Sequence, residues 1–476
     1  MMIYGTEIFN LCIWILTLLS YLFGKCTRVM RHLGLIGKEG DDPTSPVGVH
    51  NILEAKFGRP PPPIDAIEKS SETLPGGGLV GLIYKIIIQY SPQDDDPQQH
   101  QQEQQEKLNP KPDESPPSPP DVQFPRSLVV KREKEGFQSR LHSRYFQNAR
   151  EAIFYAKFAP RHESVFASIV PEVYHSRGSL LTGEFVIVME DLTEKAVPST
   201  HMLGNQCWGP PPTPLPEAVK HISELEIVQT IFTEMAKVHA RFWMDESLLT
   251  EEWMTGVKWR NGDGRWGWEA AFENMRARWV DLMTRELGGK IFTNLQGEAV
   301  ERLLRGTQWR VWQRENGVMS LGAEKRTASC FTLTHGDFHA GNILWRIDQS
   351  KDQAIMVDWS EVGMGCPFTD LAQFMISNAS VEFRREKERQ LFDEYYQQLV
   401  ERGVDPKQYP PEMGWERYKA GGIERWLQLL ILLAAAEFAV PEFALLWFSR
   451  QVDSFLQDHY SSVPKCFNSV YCLPLE

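Results

Sequence analysis

Three oxygen-bearing side chains in the carboxyl-terminal half, Asp337, Asn342 and Asp358, stand at spacings that suit phosphoryl transfer. They lie in the stretches THGDFHAGNILW (Thr334–Trp345) and IMVDWSEVGMG (Ile355–Gly365). Moving a phosphoryl group onto a hydroxyl leaves a protein little covalent work. It must position the donor, neutralise phosphate charge with metal and accept the hydroxyl proton. A carboxylate on a tight loop can take that proton, and Asp337 stands on such a loop. A second carboxylate and an asparagine amide oxygen are hard ligands of the kind Mg2+ takes while it keeps several waters. Asn342 comes five residues after Asp337, where the loop enters a strand, and Asp358 ends the strand paired with it. A hairpin of those strands brings Asn342 and Asp358 to one end of the sheet, beside Asp337. An aspartate before a strand is most often only a turn residue, so the weight rests on the full spacing.

The elements that must hold this constellation are readable from periodicity and punctuation. FTLTH (331–335), NILW (342–345) and AIMVDW (354–359) are strand-like runs, the last two separated by a polar turn. A helix starts at Ser223, where S-x-x-E (Ser223, Glu226) is a capping-box pattern. Leu225, Val228, Phe232, Met235, Val238 and Phe242 then recur at helical spacing, so one face is buried. The apolar segment Trp426–Val440 contains Glu437 and reads as a buried helix rather than a membrane span. Upstream, SLVVK (127–131) and EFVIVMEDL (184–192) read as strands, with a helical stretch around Arg144–Phe158 between them. PGGGLVGLIYKIIIQY (75–90) looks like a glycine turn between strands, and 41–63 like a connector with one short amphipathic stretch, Val49–Phe57. Residues 91–126, rich in Asp, Glu, Gln and Pro, cannot bury enough apolar surface to offset their ordering and read as a disordered insertion. GPPPTPLP (209–216) marks a further boundary, and no internal repeat is visible.

These pieces outline an α+β fold, a small β-rich lobe before a larger helical lobe, meeting near residues 189–195. The chain resembles the aminoglycoside phosphotransferase, choline kinase and ecdysteroid-kinase-like group, small-molecule kinases that share the two-lobed protein-kinase-like fold. HGDxHxGN followed by a D-W strand carries the likeness, together with the glycine turn, LVVK, REAIFY, MEDL, AKVHARFW (236–243) and GCPFTDLAQF (365–374). The resemblance covers most of residues 75–440. It implies that Asp337 is the catalytic base and that Asn342 and Asp358 hold Mg2+. It implies that Lys131 contacts the α/β-phosphates of ATP and pairs with Glu151, that Gly76, Gly77 and Gly78 approach phosphate, and that the hinge around Glu190 and Leu192 holds adenine. His335, beside Asp337 in the catalytic set, and Asp370 would brace the loop. Protein kinases have H-R-D and D-F-G where this chain has His335-Gly336-Asp337 and Asp358-Trp359-Ser360, and no A-P-E follows. A small-molecule hydroxyl acceptor is therefore favoured over a protein. The long insertion departs from the short connection usual at that point.

Each residue also has a plainer reading. The glycines can be mere hairpin flexibility, and Glu151 a solvated helix acid. Lys131 competes with Arg132 and Lys134, and alternation with Val129 favours it. His239 and Trp243 read as lobe packing, and His339 as either a phosphate contact or a loop support. A kinase fold retained without turnover, as a membrane-tethered binding or scaffold protein, is the alternative function. The acceptor pocket is expected among residues 243–330 and 415–460, where aromatic residues are frequent.

Composition narrows the field. The chain has 476 residues, 50 Lys+Arg against 63 Asp+Glu and a net charge of −13, which argues against a nucleic-acid binder. Fifteen Trp and 25 Phe exclude wholesale disorder. Seven cysteines with no C-x-x-C pair argue against a disulfide framework or zinc site and for a reducing compartment. The uncharged run Ile8–Gly24, within residues 3–24, just reaches the length of a membrane span. Lys25, Arg28, Arg31 and Lys38 all follow it, which by the positive-inside rule puts the remainder in the cytosol. Its alternative is a helix packed on the protein's own surface. The division expected is 1–40 anchor, 41–190 nucleotide-binding lobe and 191–476 helical lobe with the acceptor site.

Overall fold

Strict alternation in β3 (Ser127–Glu133) and β5 (Phe185–Glu190) gives the first sheet two covered faces. Leu128, Val130, Val186 and Val188 point to one face, where they meet Val49, Ile52 and Leu53. Phe185, Ile187 and Met189 point to the other and join the main core with Ala149 and Ala152. The computed structural model describes residues 42–73, 81–91, 123–134, 136, 139, 140, 143, 144, 146–204, 214–306, 308–317, 330–347, 353–435 and 440–462. The run 8–24, Gly76–Gly78 and residues 92–122 of the insertion lie outside the described residues.

The sheet is antiparallel and five-stranded, in the order β1-β2-β3-β5-β4, with β1 Ile64–Thr73, β2 Gly81–Tyr90 and β4 Val173–Gly178. Within the connector read over 41–63, the amphipathic stretch Val49–Phe57 is a helix that begins one turn earlier, α1 (Pro46–Phe57), and covers one sheet face. Ser45 caps it by accepting from Gly48 N–H, Pro46 suits its first turn, and Gly58 in the left-handed region ends it. The helical stretch placed around 144–158 is regular only from Ala149, as α2 (Ala149–Ile153) running into a π-turn over Phe154–Phe158. It seats closely on β4: a Cβ on Gly178 would lie 2.6 Å from the Ala149 carbonyl oxygen. That close approach needs a glycine, and it fixes the height of Glu151 on the helix.

Beyond the hinge the fold is mainly helical. Ser223 caps α3 (Glu224–Arg241) as the capping pattern foretold, and the face carrying Val228, Phe232, Met235 and Val238 is buried. Two small antiparallel sheets hold the segments of interest. One pairs β7 (Thr332–Thr334) with β10 (Gly363–Gly365), and the other orders β6 (Ala196–Pro198), β8 (Ile343–Arg346) and β9 (Ala354–Met356) as β6-β8-β9. Helices α4 (Pro367–Asn378), α5 (Val381–Glu401), α6 (Pro411–Ala435) and α7 (Glu442–His459) complete the lobe, with α4 buried along its whole length. The α+β arrangement of a smaller β-rich lobe before a larger helical one is the one expected. Among the described residues no helix is long and apolar enough to cross a membrane.

Leu53 is fully buried between α1 and the sheet. Leu53→Ala leaves a cavity there and is expected to cost about 2–4 kcal/mol. Chemical denaturation of the full chain checks this.

Candidate active site

Strand pairing places the catalytic-type residues. Ile343 pairs with Met356, and Val357 N–H donates to the Asn342 carbonyl at 2.9 Å. Asn342 therefore sits beside the approach to Asp358. Thr334 pairs with Gly363, so the loop starting at His335 leaves its strand opposite the segment that follows Asp358. Gly336 has φ 82°, and a Cβ there would meet the Glu361 carbonyl oxygen at 2.3 Å, so only glycine lets these two loops touch.

The loop is fastened from below. Asp370 on α4 accepts from the backbone N–H of His335 at 2.8 Å and of Gly336 at 3.2 Å. His335 is buried, and burial holds its imidazole below the ordinary value, hence neutral. Its Nε2 lies 3.0 Å from the Val357 carbonyl and its Nδ1 accepts from Asp337 N–H at 3.3 Å. With both ring nitrogens engaged, His335 sits as a brace between the two loops. Asn378 Oδ1 accepts from Ala340 N–H at 2.7 Å and holds the far side.

Asp337 is presented with its side chain 29% exposed. Gln373 Nε2 donates to its Oδ1 at 2.8 Å, and Asn342 Nδ2 donates to its Oδ2 at 3.1 Å. His339 Nε2 lies 3.4 Å from Oδ2. Burial by itself raises the Asp337 carboxyl, but His339 and Arg425 outweigh it and hold the group well below the usual carboxylate range. It is ionised at neutral pH and able to accept a proton.

Lys131 reaches down from β3 into this region. Its Nζ lies 2.6 Å from Glu151 Oε2 and 3.0 Å from Asp358 Oδ1. Burial opposes the ammonium charge, but the Asp358 and Glu151 carboxylates outweigh it and raise the group above its ordinary value. Burial pushes Glu151 up to about 7 despite the attraction of Lys131. Arg132 is only half-buried and Lys134 is exposed. Asp358 has φ 61° and ψ 58°, a left-handed conformation unusual for a non-glycine residue. Such an outlier persists only where surroundings over-determine it. Here Trp359 stacks on Phe154 at 4.6 Å, and Arg150 NH1 donates to the Ser360 carbonyl at 3.0 Å.

The donor set fits a hard cation. Asn342 Nδ2 is turned to the Asp337 carbonyl and carboxylate, so its amide oxygen faces elsewhere, and Asp358 keeps a carboxylate that is 30% exposed. Among the described residues no group of three or more His, Cys, Asp or Glu could hold a metal. A pair of oxygen ligands with water completing the shell is the Mg2+ pattern instead.

At the hinge, Glu190 pairs with Leu128, and its Oε1 accepts from Glu172 N–H at 3.0 Å and Arg346 NH2 at 3.1 Å. Leu192 is buried and its carbonyl accepts from Lys195 and Ala196. Sequence reasoning missed Gln373, Arg425, Glu361, Arg150 and Asn378. Arg425 carried a signal, as a charge within an otherwise apolar helical segment. His239, read as packing, is fully buried with Nδ1 2.6 Å from Tyr395 Oη and Nε2 3.5 Å from Asp370.

The smaller β-rich lobe, the larger helical lobe and the site between them form the two-lobed, protein-kinase-like architecture that the motifs implied. The family model described as the ecdysteroid kinase-like family matches residues 223–404, a span that includes the whole catalytic loop and the Asp358 segment. The resemblance read from the motifs thus holds over that span. No curated protein matches the sequence. Solved structures of similar shape include a choline kinase from Cryptosporidium parvum, at 12% identity and TM-score 0.42, covering 86% of this chain and 92% of that one. An ethanolamine kinase from Plasmodium vivax matches at 12% identity and TM-score 0.42, covering 84% of each chain. An amicoumacin kinase in complex with AMP-PNP and Ca2+ matches at 14% identity and TM-score 0.36, covering 70% of this chain and 82% of that one.

Asp191 ties the hinge to β2 and β3: its Oδ2 lies 2.7 Å from Lys85 Nζ and accepts from Ser127 Oγ at 2.7 Å. Burial tends to raise this carboxyl, but Lys85, Thr193 and Ser127 prevail and bring it from 3.8 to about 2. A depressed pKa adds stability above the unfolded value, lost as pH falls through the folded one. Asp191→Asn is therefore expected to cost about 1–2 kcal/mol at pH 7, after allowance for solvent screening. The gap to the parent should narrow between pH 4 and pH 2 in denaturation curves taken across that range.

Proposed function

We propose that the protein is an ATP- and Mg2+-dependent phosphotransferase that phosphorylates a hydroxyl group of a small molecule. The observation that carries this reading is the Lys131 ammonium held between Glu151 and Asp358, with Asp358 one loop away from Asp337 and Asn342. A kinase fold without turnover has no need to hold a buried cation against two carboxylates from different elements.

In this reading Asp337 accepts the proton of the acceptor hydroxyl as its oxygen attacks the terminal phosphorus. Gln373 and Asn342 aim the carboxylate by donating to its two oxygens. Lys131, set by Glu151, orients the phosphates, and contact of Gly76, Gly77 and Gly78 with phosphate belongs to the same proposal. Asn342 and Asp358 would hold magnesium, which supplies charge neutralisation on the phosphates. Backbone groups around Glu190 and Leu192 form the adenine edge. Attachment to a membrane through residues 3–24, with the kinase lobes in the cytosol, belongs to the same proposal and rests on the run Ile8–Gly24 and the basic residues behind it.

Transfer of labelled phosphate from ATP into a metabolite extract tests the reading. Asp337→Asn is expected to lower transfer by about 10²–10⁴-fold, the range ascribed to a positioned base, and Asp358→Asn to lower it as well and to weaken its dependence on Mg2+. Lys131→Met should raise KM for ATP as well as lower kcat. Undiminished transfer in both aspartate variants would end the assignment.

A further inference from the structure

Arg425 lies on α6, 89 residues beyond Gly336 and outside the matched span 223–404, and is only 3% exposed. Its guanidinium reaches three separate segments of the active site. NH2 donates to the Gly336 carbonyl at 2.7 Å and to Glu361 Oε2 at 2.6 Å, while Nε donates to Gln373 Oε1 at 3.1 Å. The same Gln373 donates from Nε2 to Asp337 Oδ1 at 2.8 Å. Trp426, the next residue on α6, donates from Nε1 to the Gln373 carbonyl at 3.2 Å.

The donor chemistry gives this chain of contacts a direction. A glutamine amide can turn end for end with almost no change of shape, which would exchange its donor for its acceptor. A turned Gln373 would set a carbonyl oxygen against the Asp337 carboxylate. Arg425 carries only donors, and ionised Asp337 only acceptors. Between them the amide has one satisfied orientation. Glu361 has the complementary task. It takes the short ion pair with Arg425, leaving Arg425 NH2 3.8 Å from Asp337 Oδ1, so the guanidinium does not cap the oxygen that must take a proton.

We propose that Arg425 is a positioning residue of the catalytic centre, fixing the Asp337 carboxylate through Gln373 and the loop backbone through Gly336. The proposal rests on the reading of Asp337 as the base. It assigns a working part of the site to α6, which contributes nothing to the recognisable motifs.

The test is steady-state hydrolysis of Mg·ATP by the full chain, with no acceptor added, in Arg425→Met, Gln373→Met and the double variant. Each single variant is expected to lower kcat by about 10- to 100-fold, the scale of a misplaced reacting group. KM for Mg·ATP should stay within about threefold, since Arg425 touches the base side of the site and not Lys131. The double variant should be no slower than the worse single one, because both residues act along one path. Arg425→Lys, which keeps the charge but cannot span three acceptors, should recover part of the loss. Additive losses, a loss confined to KM, or unchanged kcat would overturn the proposal. Should Arg425→Met fail to fold, Gln373→Glu decides. It keeps the bond to Arg425 but turns a like charge on Asp337, so kcat must fall, and unchanged kcat would be contrary. Asp337→Asn run in parallel separates the two readings. If it is inactive while the Arg425 and Gln373 variants are not, only the positioning role fails; if it stays active, the assignment of the base itself fails.

Discussion

The ammonium group of Lys131 is removed from water and given two carboxylates in its place. Taking a charge out of water costs several kcal/mol, and the cost is offset only when partners stand at close range and correct angle. Those partners come from unrelated parts of the chain. Glu151 is supplied by α2, Asp358 by the turn after β9, and Lys131 itself by the central strand of the first sheet. Each must arrive independently. The glycine contact of β4 lets α2 seat deeply, and the Trp359–Phe154 stack and the Arg150–Ser360 bond fasten the Asp358 turn to the continuation of that helix. The two lobes are therefore joined through the site and not only through the hinge.

The second half of the site follows a different physical rule. Asp337 is not neutralised by one strong partner but surrounded by donors of modest strength: a glutamine amide, an asparagine amide, a histidine and, farther off, an arginine. In the role proposed for it, Asp337 must be ionised, aimed and still able to take a proton. A direct bidentate arginine would satisfy the first two demands and defeat the third. The diversion of Arg425 to Glu361 resolves that conflict. Below the loop Asp370 plays a purely structural part, spending its two oxygens on backbone N–H groups that would otherwise be buried without partners.

What the sequence made legible and what it hid divide along locality. Asp337, Asn342 and Asp358 sit within one loop-and-hairpin unit, so spacing alone could place them near one another, and the strand register bears out their juxtaposition. Lys131 was separable from Arg132 and Lys134 because strand alternation sends its side chain to the same face as Val129. Gln373 and Arg425 belong to helices whose relation to the loop is set by tertiary packing, which no local pattern encodes. A trace of Arg425 was nonetheless visible, since an arginine in the run ERWLQLLILLAA must either face solvent or find buried partners. The helix within 41–63 was legible in part: Val49, Ile52 and Leu53 keep the spacing that marked an amphipathic stretch, while the serine cap and first-turn proline that start it earlier were lost among flanking prolines.

The insertion between β2 and β3 shows why a long departure from the usual pattern leaves the site intact. Register puts Gly81 opposite Glu133 at one end of this strand pair and Ile87 opposite Ser127 at the other. The glycine connection enters at the Gly81 end, where the Lys131 side chain also lies. The insertion leaves from the opposite end of β2, roughly 30 Å away for a strand of this length. Its exits are pinned together: Tyr90 Oη donates to the Pro125 carbonyl and Ile88 N–H to the Arg126 carbonyl, both at 2.8 Å. With the ends fixed, the entropy of closing the loop grows only slowly with its length. Added residues there burden neither the register of the lysine strand nor the surroundings of the Lys131 ammonium. The same length inserted at the Gly81 end would have entered the sheet beside the Lys131 side chain.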